Sequence, residues 1–172
     1  MNGHALRHSL REQTGRFCAA MMLLTRVPVG AFYRHRAELS AGSVFYFPLV
    51  GFLVGLAGAG AALAGLALLP IPAAIVLSML VTVALTGGFH EDGLADAADG
   101  LFGGNDVSRR LEIMKDSRLG TFGALALWFS LTAKLLLLCE VARGGGAALA
   151  SGIVAGHTLA RGSVVALLGW LP

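Results

Sequence analysis

The chain has 172 residues, 56% of them apolar and 13% charged, with a formal net charge of +3 and a mean hydropathy of +0.74. A soluble domain carries about 25% charged residues, so this composition excludes a water-soluble globule and assigns the chain to a lipid bilayer. No long basic run with interleaved aromatics is present, which excludes a nucleic-acid partner. Cys18 and Cys139 stand far apart, outside any metal or redox motif, and read as apolar filler.

In chain order, residues 1–40 hold Arg7, Arg11, Arg16, Arg26, Arg34 and Arg36 against Glu12 and Glu38. The apolar run from Phe17 to Leu24 stops at Arg26 with no small-x-small cleavage site, so it does not read as a signal peptide. It reads as an interfacial helix over residues 15–25, with arginines toward lipid headgroups, ended by Pro28. From Val44 to Leu69 the chain is uncharged, and the part after Pro48, about 21 residues, is long enough for one crossing. Its Gly51, Gly55, Gly58 and Gly60 permit close helix approach. Pro70 and Pro72 leave only a short turn before a second crossing of about 19 residues, Ile71 to Phe89, which makes a hairpin of 44–89.

Residues 90–120 form the one sizeable polar segment after the N-terminal region. Gly103-Gly104-Asn105-Asp106 signals a turn, and Ser108 or Asp106 caps a short helix running through Lys115. Thr121 to Cys139 is a third span, interrupted only by Lys134. After the turn Gly144-Gly145-Gly146, Ala147 to Gly169 is a fourth. The expected architecture is an all-α, multi-pass transmembrane bundle of about four spans plus the interfacial helix. It forms a single membrane-embedded domain with parts 1–43, 44–89, 90–120 and 121–172.

Charge placement orients this bundle. With four crossings, residues 1–40 and 90–120 share one side and hold ten Lys and Arg, whereas the opposite turns hold only Arg143. The positive-inside rule makes the rich side cytoplasmic.

The acidic stretch His90 to Gly100, H-E-D-G-L-A-D-A-A-D-G, lies at that face. On a helix, Asp92, Asp96 and Asp99 occupy i, i+4 and i+7 and fall within about 60° of one another. Three hard oxygen donors on one face suit Mg²⁺ or Ca²⁺. Glu91 lies about 100° off that face and His90 nearly opposite. The competing reading is a solvated acidic cap beyond a membrane segment, with Asp92-Gly93 as a turn. Lys115 and Arg118, beside the free N–H groups of a helix start, read either as a phosphate cradle or as ordinary cytoplasmic flanking charge. His157 and Arg161 are i and i+4 near mid-membrane, where an ionised group calls for an interior partner or polar cavity; the other reading is snorkelling or a buried ion pair. For Lys134, snorkelling is at least as strong a reading as a place in the site.

Two long motifs carry a family resemblance. G-G-F-H-E-D-G-L-A-D-A-A-D-G-L at 87–101 and R-L-E-I-M-K-D-S-R-L-G-T-F-G at 110–123 closely resemble the bacterial cobalamin synthase family, the adenosylcobinamide-GDP ribazoletransferases. L-L-T-R-V-P-V at 23–29, F-P-L-V-G at 47–51 and G-H-T-L-A-R at 156–161 extend the likeness from about residue 16 to the end. The resemblance implies a multi-pass enzyme of the bacterial inner membrane with its active site facing the cytoplasm. It would be Mg²⁺-dependent and join a GDP-activated corrinoid to α-ribazole or its 5′-phosphate with release of GMP. It implies site positions at Glu91, Asp92, Asp96 and Asp99 and at Lys115, Asp116, Ser117 and Arg118. In that setting Asp92, Asp96 and Asp99, with Glu91, are the expected metal ligands, and Asp99 the expected proton acceptor. Lys115, Ser117, Arg118, His157 and Arg161 are the expected phosphate-binding groups. Beyond its small-molecule substrates and the bilayer, the expected partners are further copies of the chain or other corrinoid-assembly enzymes. Family members continue through further hydrophobic segments, so a chain stopping at Trp170-Leu171-Pro172 is expected to be a short member. The alternatives are an enzyme like the CDP-alcohol phosphotransferases, whose longer Asp pattern is not reproduced, and a divalent-cation transporter with the acids as entry ring.

Overall fold

A computed structural model of the chain describes residues 3–31 and 41–170, with side chains over 8–30 and 42–170. Arg34, Arg36, Glu38, the side chain of Arg7 and the last two residues lie outside the described residues. Those described form seven α-helices and no strand: α1 Gly3–Leu24, α2 Phe47–Leu66, α3 Ile71–Thr86, α4 Phe89–Gly103, α5 Val107–Ile113, α6 Thr121–Ala142 and α7 Gly146–Trp170.

Helix α1 starts much earlier than the expected residue 15 and ends at Leu24, ahead of Pro28. An i,i+4 pair between Glu12 and Arg16 at 2.5 Å supports its polar first half. Its apolar side is covered by protein: Ala20 and Leu24 pack with Phe47, Val50 and Val54 of α2. Tyr46 donates its hydroxyl to Gln13 Oε1 at 2.5 Å, fastening the two elements together.

The segment Gly42–Leu66 and helices α6 and α7 are each long and apolar enough to cross a bilayer, with mean hydropathies of 2.1, 1.9 and 1.3. The expected second crossing ends earlier as a straight helix than residue 89. Helix α3 has 16 residues, about 24 Å of helix against a hydrocarbon core of about 30 Å. The chain then bends by 86° into α4, and α3 with α4 makes a fourth candidate span if the bent pair is one crossing. Two glycines in the left-handed region make the bend, Gly87 at φ 67° and Gly88 at φ 72°. The Gly88 N–H returns to the Val83 carbonyl at 3.1 Å, closing the end of α3.

Helices α2 and α7 meet along the expected glycine stripe. A Cβ at Gly51 would run into the His157 carbonyl, and one at Gly55 would sit 2.8 Å from Val154 Cα. Ser78 of α3 donates to the Gly58 carbonyl at 2.7 Å on the same stripe. Ala59, Ala62, Ile75, Ala142, Leu149 and Ile153 fill the centre where α2, α3, α6 and α7 converge. In lipid such contacts hold by close packing, since apolar surface gains little by leaving the acyl chains.

Candidate functional site

The acidic stretch is helical, as its spacing predicts, and α4 packs against α6. Asp99 is 8% exposed. Its Oδ2 accepts from the Gly120 N–H and its Oδ1 from the Gly123 N–H, both at 2.8 Å. Gly120 is the N-cap of α6, so these are orphan donors at a helix start, where a negative charge also meets the positive end of the helix dipole. A Cβ at Gly120 or Gly123 would collide with the Asp99 carboxylate. Thus the D-A-A-D-G of one motif and the L-G-T-F-G of the other are two halves of a single contact.

That contact bears on two expectations. Each Asp99 oxygen already accepts one backbone N–H, and the carboxylate also lines the cavity at the α6 start. Of the N–H groups at the start of α6, those of Gly120 and Gly123 are taken by Asp99. Asp92 is exposed and Asp96 half-buried, one turn apart on α4. Among the described residues no group of three or more His, Cys, Asp or Glu side chains is arranged to hold a metal ion, so the four acids do not converge as a set.

Between the helices, Asp106 caps α5 by accepting from the Arg109 N–H at 2.8 Å, the second of the two caps expected there. Lys115 and Ser117 are exposed. Arg118 is paired: its Nη2 lies 2.5 Å from Asp116 Oδ2 and its Nε donates to both carboxylate oxygens at 3.0 Å. Those hydrogen bonds hold the Asp116 carboxyl at about 2, below its ordinary 3.8. Arg118, Asp116, Asp99 and Gly120 line an open cavity of about 470 Å³ at the start of α6.

A second cavity, also about 470 Å³, lies between α3, α6 and α7. Lys134, His157 and Arg161 line it together with Ser78, Thr82 and Ser130. Arg161 is 6% exposed, donates from Nη1 to His157 Nδ1 at 2.9 Å, and has no partner for its buried Nε. Glu91 likewise has a buried Oε2 without a partner. Glu140 pairs with Arg143 at 3.0 Å on the surface.

Of the expected site residues, Asp99, Asp116 and Arg118 line the first cavity, His157 and Arg161 line the second, and Asp92 and Asp96 line neither. Sequence reasoning weighed snorkelling at least as strongly as membership of the second for Lys134, and ranked Glu91 low on angle. The available signal was the count of ionisable residues at membrane depth on separate helices, which calls for a common interior.

The cobalamin-5-phosphate synthase family matches residues 16–172. Among curated relatives, the adenosylcobinamide-GDP ribazoletransferase of Shewanella amazonensis is 45% identical over 88% of this chain and 58% of its own length. That of Leptospira interrogans is 47% identical over 78% of this chain and 51% of its own, and that of Ralstonia nicotianae 43% identical over 93% and 62%. The chain thus spans little more than half the length of these relatives. No solved structure matches it significantly. With both motifs inside the matched region and joined through Asp99, the chain belongs to the cobalamin-5-phosphate synthase family.

Proposed function

We propose that the chain carries the transferase site that joins a GDP-activated corrinoid to α-ribazole or its 5′-phosphate and releases GMP. The observation that supports this reading is the contact of the acidic helix α4, which carries Asp92 and Asp96, with the start of α6, which follows the Lys115–Arg118 segment. Relatives named for this activity supply the substrate class. The cation-transporter and alcohol-phosphotransferase alternatives have no such support.

In this reading Mg²⁺ is the cofactor, and the donor set fits it in one form. Mg²⁺ is commonly held by one or two carboxylates plus substrate phosphates and water. Asp92 and Asp96, two hard oxygen donors one turn apart with solvent access, suit that form, and a third protein carboxylate is not required. When bound, the ion supplies charge neutralisation on the diphosphate. Lys115 and Arg118 bind phosphate oxygens, Arg118 as a planar fork held ready by Asp116. The exposed Ser117 hydroxyl adds a donor beside them. The proton of the attacking ribazole hydroxyl goes to a carboxylate of the Asp92–Asp96 pair, since each Asp99 oxygen already accepts a backbone N–H. The bond that forms is ribazole oxygen to the corrinoid-side phosphorus, and the bond that breaks links that phosphorus to the oxygen leaving with GMP. The site faces the cytoplasm of the bacterial inner membrane, where nucleotides and Mg²⁺ are supplied. Further copies of the chain or other corrinoid-assembly enzymes are its partners in this reading.

The test is incubation of the membrane-embedded chain with adenosylcobinamide-GDP, α-ribazole and Mg²⁺. A corrinoid product of the joined mass together with GMP is expected. Neither product, under conditions in which a longer relative turns over, would sink the proposal for this chain.

A further inference from the structure

The polar group at the α3–α6–α7 cavity lies on different helix faces from the Asp92–Asp96 pair and is not used by the transfer chemistry above. Its charges do not balance. Lys134 and Arg161 bring two positive charges to a lining that holds no acid, and Glu91, outside that lining, is the acid with a buried oxygen left without a partner. His157 accepts from Arg161 through Nδ1, so it sits there as a neutral ring and adds no compensating charge. One formal positive charge is therefore left over at a depth where ionised groups are costly and mark binding sites by default.

Geometry supplies a second, independent sign. Arg161 is 94% buried by area, being 6% exposed, and its Nε has no partner although the side chain lines a cavity. A buried donor left unmade is expensive, so the position expects an acceptor. Helix α2 leaves room for the Arg161 side chain itself: Gly51 is where Arg161 Cδ passes, and a Cβ there would sit 3.1 Å from that atom. At about 470 Å³ the cavity is far larger than one anion needs and falls in the size range of small-molecule sites. Away from the cations its walls are apolar, with Met79, Leu137, Leu138 and Ile153.

We propose that the Lys134–Arg161 end of this cavity binds the phosphate of an amphiphilic phosphate ester, whose apolar body lies along Met79, Leu137, Leu138 and Ile153. Arg161 offers the cavity-facing part of its guanidinium while Nη1 stays on His157, and Lys134 lines the same cavity from α6. Glu91 is the resident negative charge that the incoming phosphate outcompetes. The assignment deepens the functional reading, on which it rests for the expectation of phosphate-bearing ligands. Its test reads binding without turnover, so the two fail separately.

The same chemistry has two sources, a soluble phosphomonoester or a phospholipid headgroup. The whole chain is held in a maltoside detergent, which carries no phosphate, and titrated calorimetrically with phenyl phosphate. In parallel it is purified with phosphatidylglycerol and examined by native mass spectrometry for retained lipid. Saturable phenyl phosphate binding that weakens about tenfold or more in Lys134→Met and Arg161→Met supports the site with a soluble ligand. Retained phosphatidylglycerol that is lost in both variants supports it with a lipid ligand. Because Arg161→Met is the variant more apt to misfold, Glu91→Gln provides the opposite sign: removing the competing charge should tighten binding, which damage to the fold does not do. Neither ligand bound, binding indifferent to Lys134→Met, or binding not tightened by Glu91→Gln overturns the assignment.

Discussion

At Asp99 the carboxylate is answered by two backbone N–H groups and by the positive end of α6, so its charge is compensated without a metal. Asp99→Asn keeps one acceptor but turns an amide NH₂ toward a backbone donor. We expect it to cost about 1–3 kcal/mol, read as a lower thermal midpoint in detergent, with activity lost in step. Asp96→Asn is the contrast. On a half-buried position of α4, it should leave the thermal midpoint near that of the unaltered chain while turnover falls by about 10²-fold or more and demands higher Mg²⁺. Unchanged turnover at ordinary Mg²⁺ would return Asp96 to a solvated cap. The sequence made the shared face of Asp92, Asp96 and Asp99 legible, because helical spacing alone determines it. It could not divide their roles, since the partners of Asp99 lie 21 and 24 residues further on. Arg118 adds a pH statement. The Asp116 carboxyl is held at about 2 by Arg118 hydrogen bonds, a depressed value, so the pairing is fully present above the ordinary 3.8 and is lost as pH falls through about 2. Across the working range Asp116 therefore stays ionised beside Arg118.

Element boundaries followed punctuation that a sequence displays: Pro28, Pro70, Pro72 and the glycine turns bracket α1, α2, α3 and α7. The bend between α3 and α4 did not show itself, because Gly87-Gly88 reads equally as the end of a span or as a corner within one. Only the left-handed φ at both positions makes it a corner. The two glycines should respond differently to alanine. At Gly88 nothing lies within 4 Å of a new Cβ, so Gly88→Ala carries the backbone term alone, about 1–2 kcal/mol. At Gly87 the same change also meets the Arg26 side chain and should cost more. Equal thermal shifts for the two variants would show that Arg26 does not rest on Gly87. On α2, Gly55→Leu should open the seam with α7 and destabilise by about 1–3 kcal/mol through overpacking.

For the molecule as a whole, membrane orientation depends on whether the broken α3–α4 pair completes a crossing or turns back. The Arg26 N–H donates to the Leu85 carbonyl at 2.7 Å, and the Arg26 side chain lies over Gly87. The end of the N-terminal arm and the end of α3 are therefore at one level of the bundle. A chain that enters α2 from that level, turns at Pro70 and returns through α3 to the same level has crossed twice. The basic residues agree with this, ten on the side of residues 1–40 and 90–120 against Arg143 on the other. Ser108 on α5 is exposed and reports that side. With Cys18 and Cys139 replaced by alanine, Ser108→Cys should resist a membrane-impermeant thiol reagent in intact cells and react in inverted vesicles. Labelling in intact cells would mean that α4 and α5 face away from the nucleotide pool. The transfer proposal would then lose its substrate supply, whereas the Asp99 contact and the cavity at Arg161, which need no orientation, would stand.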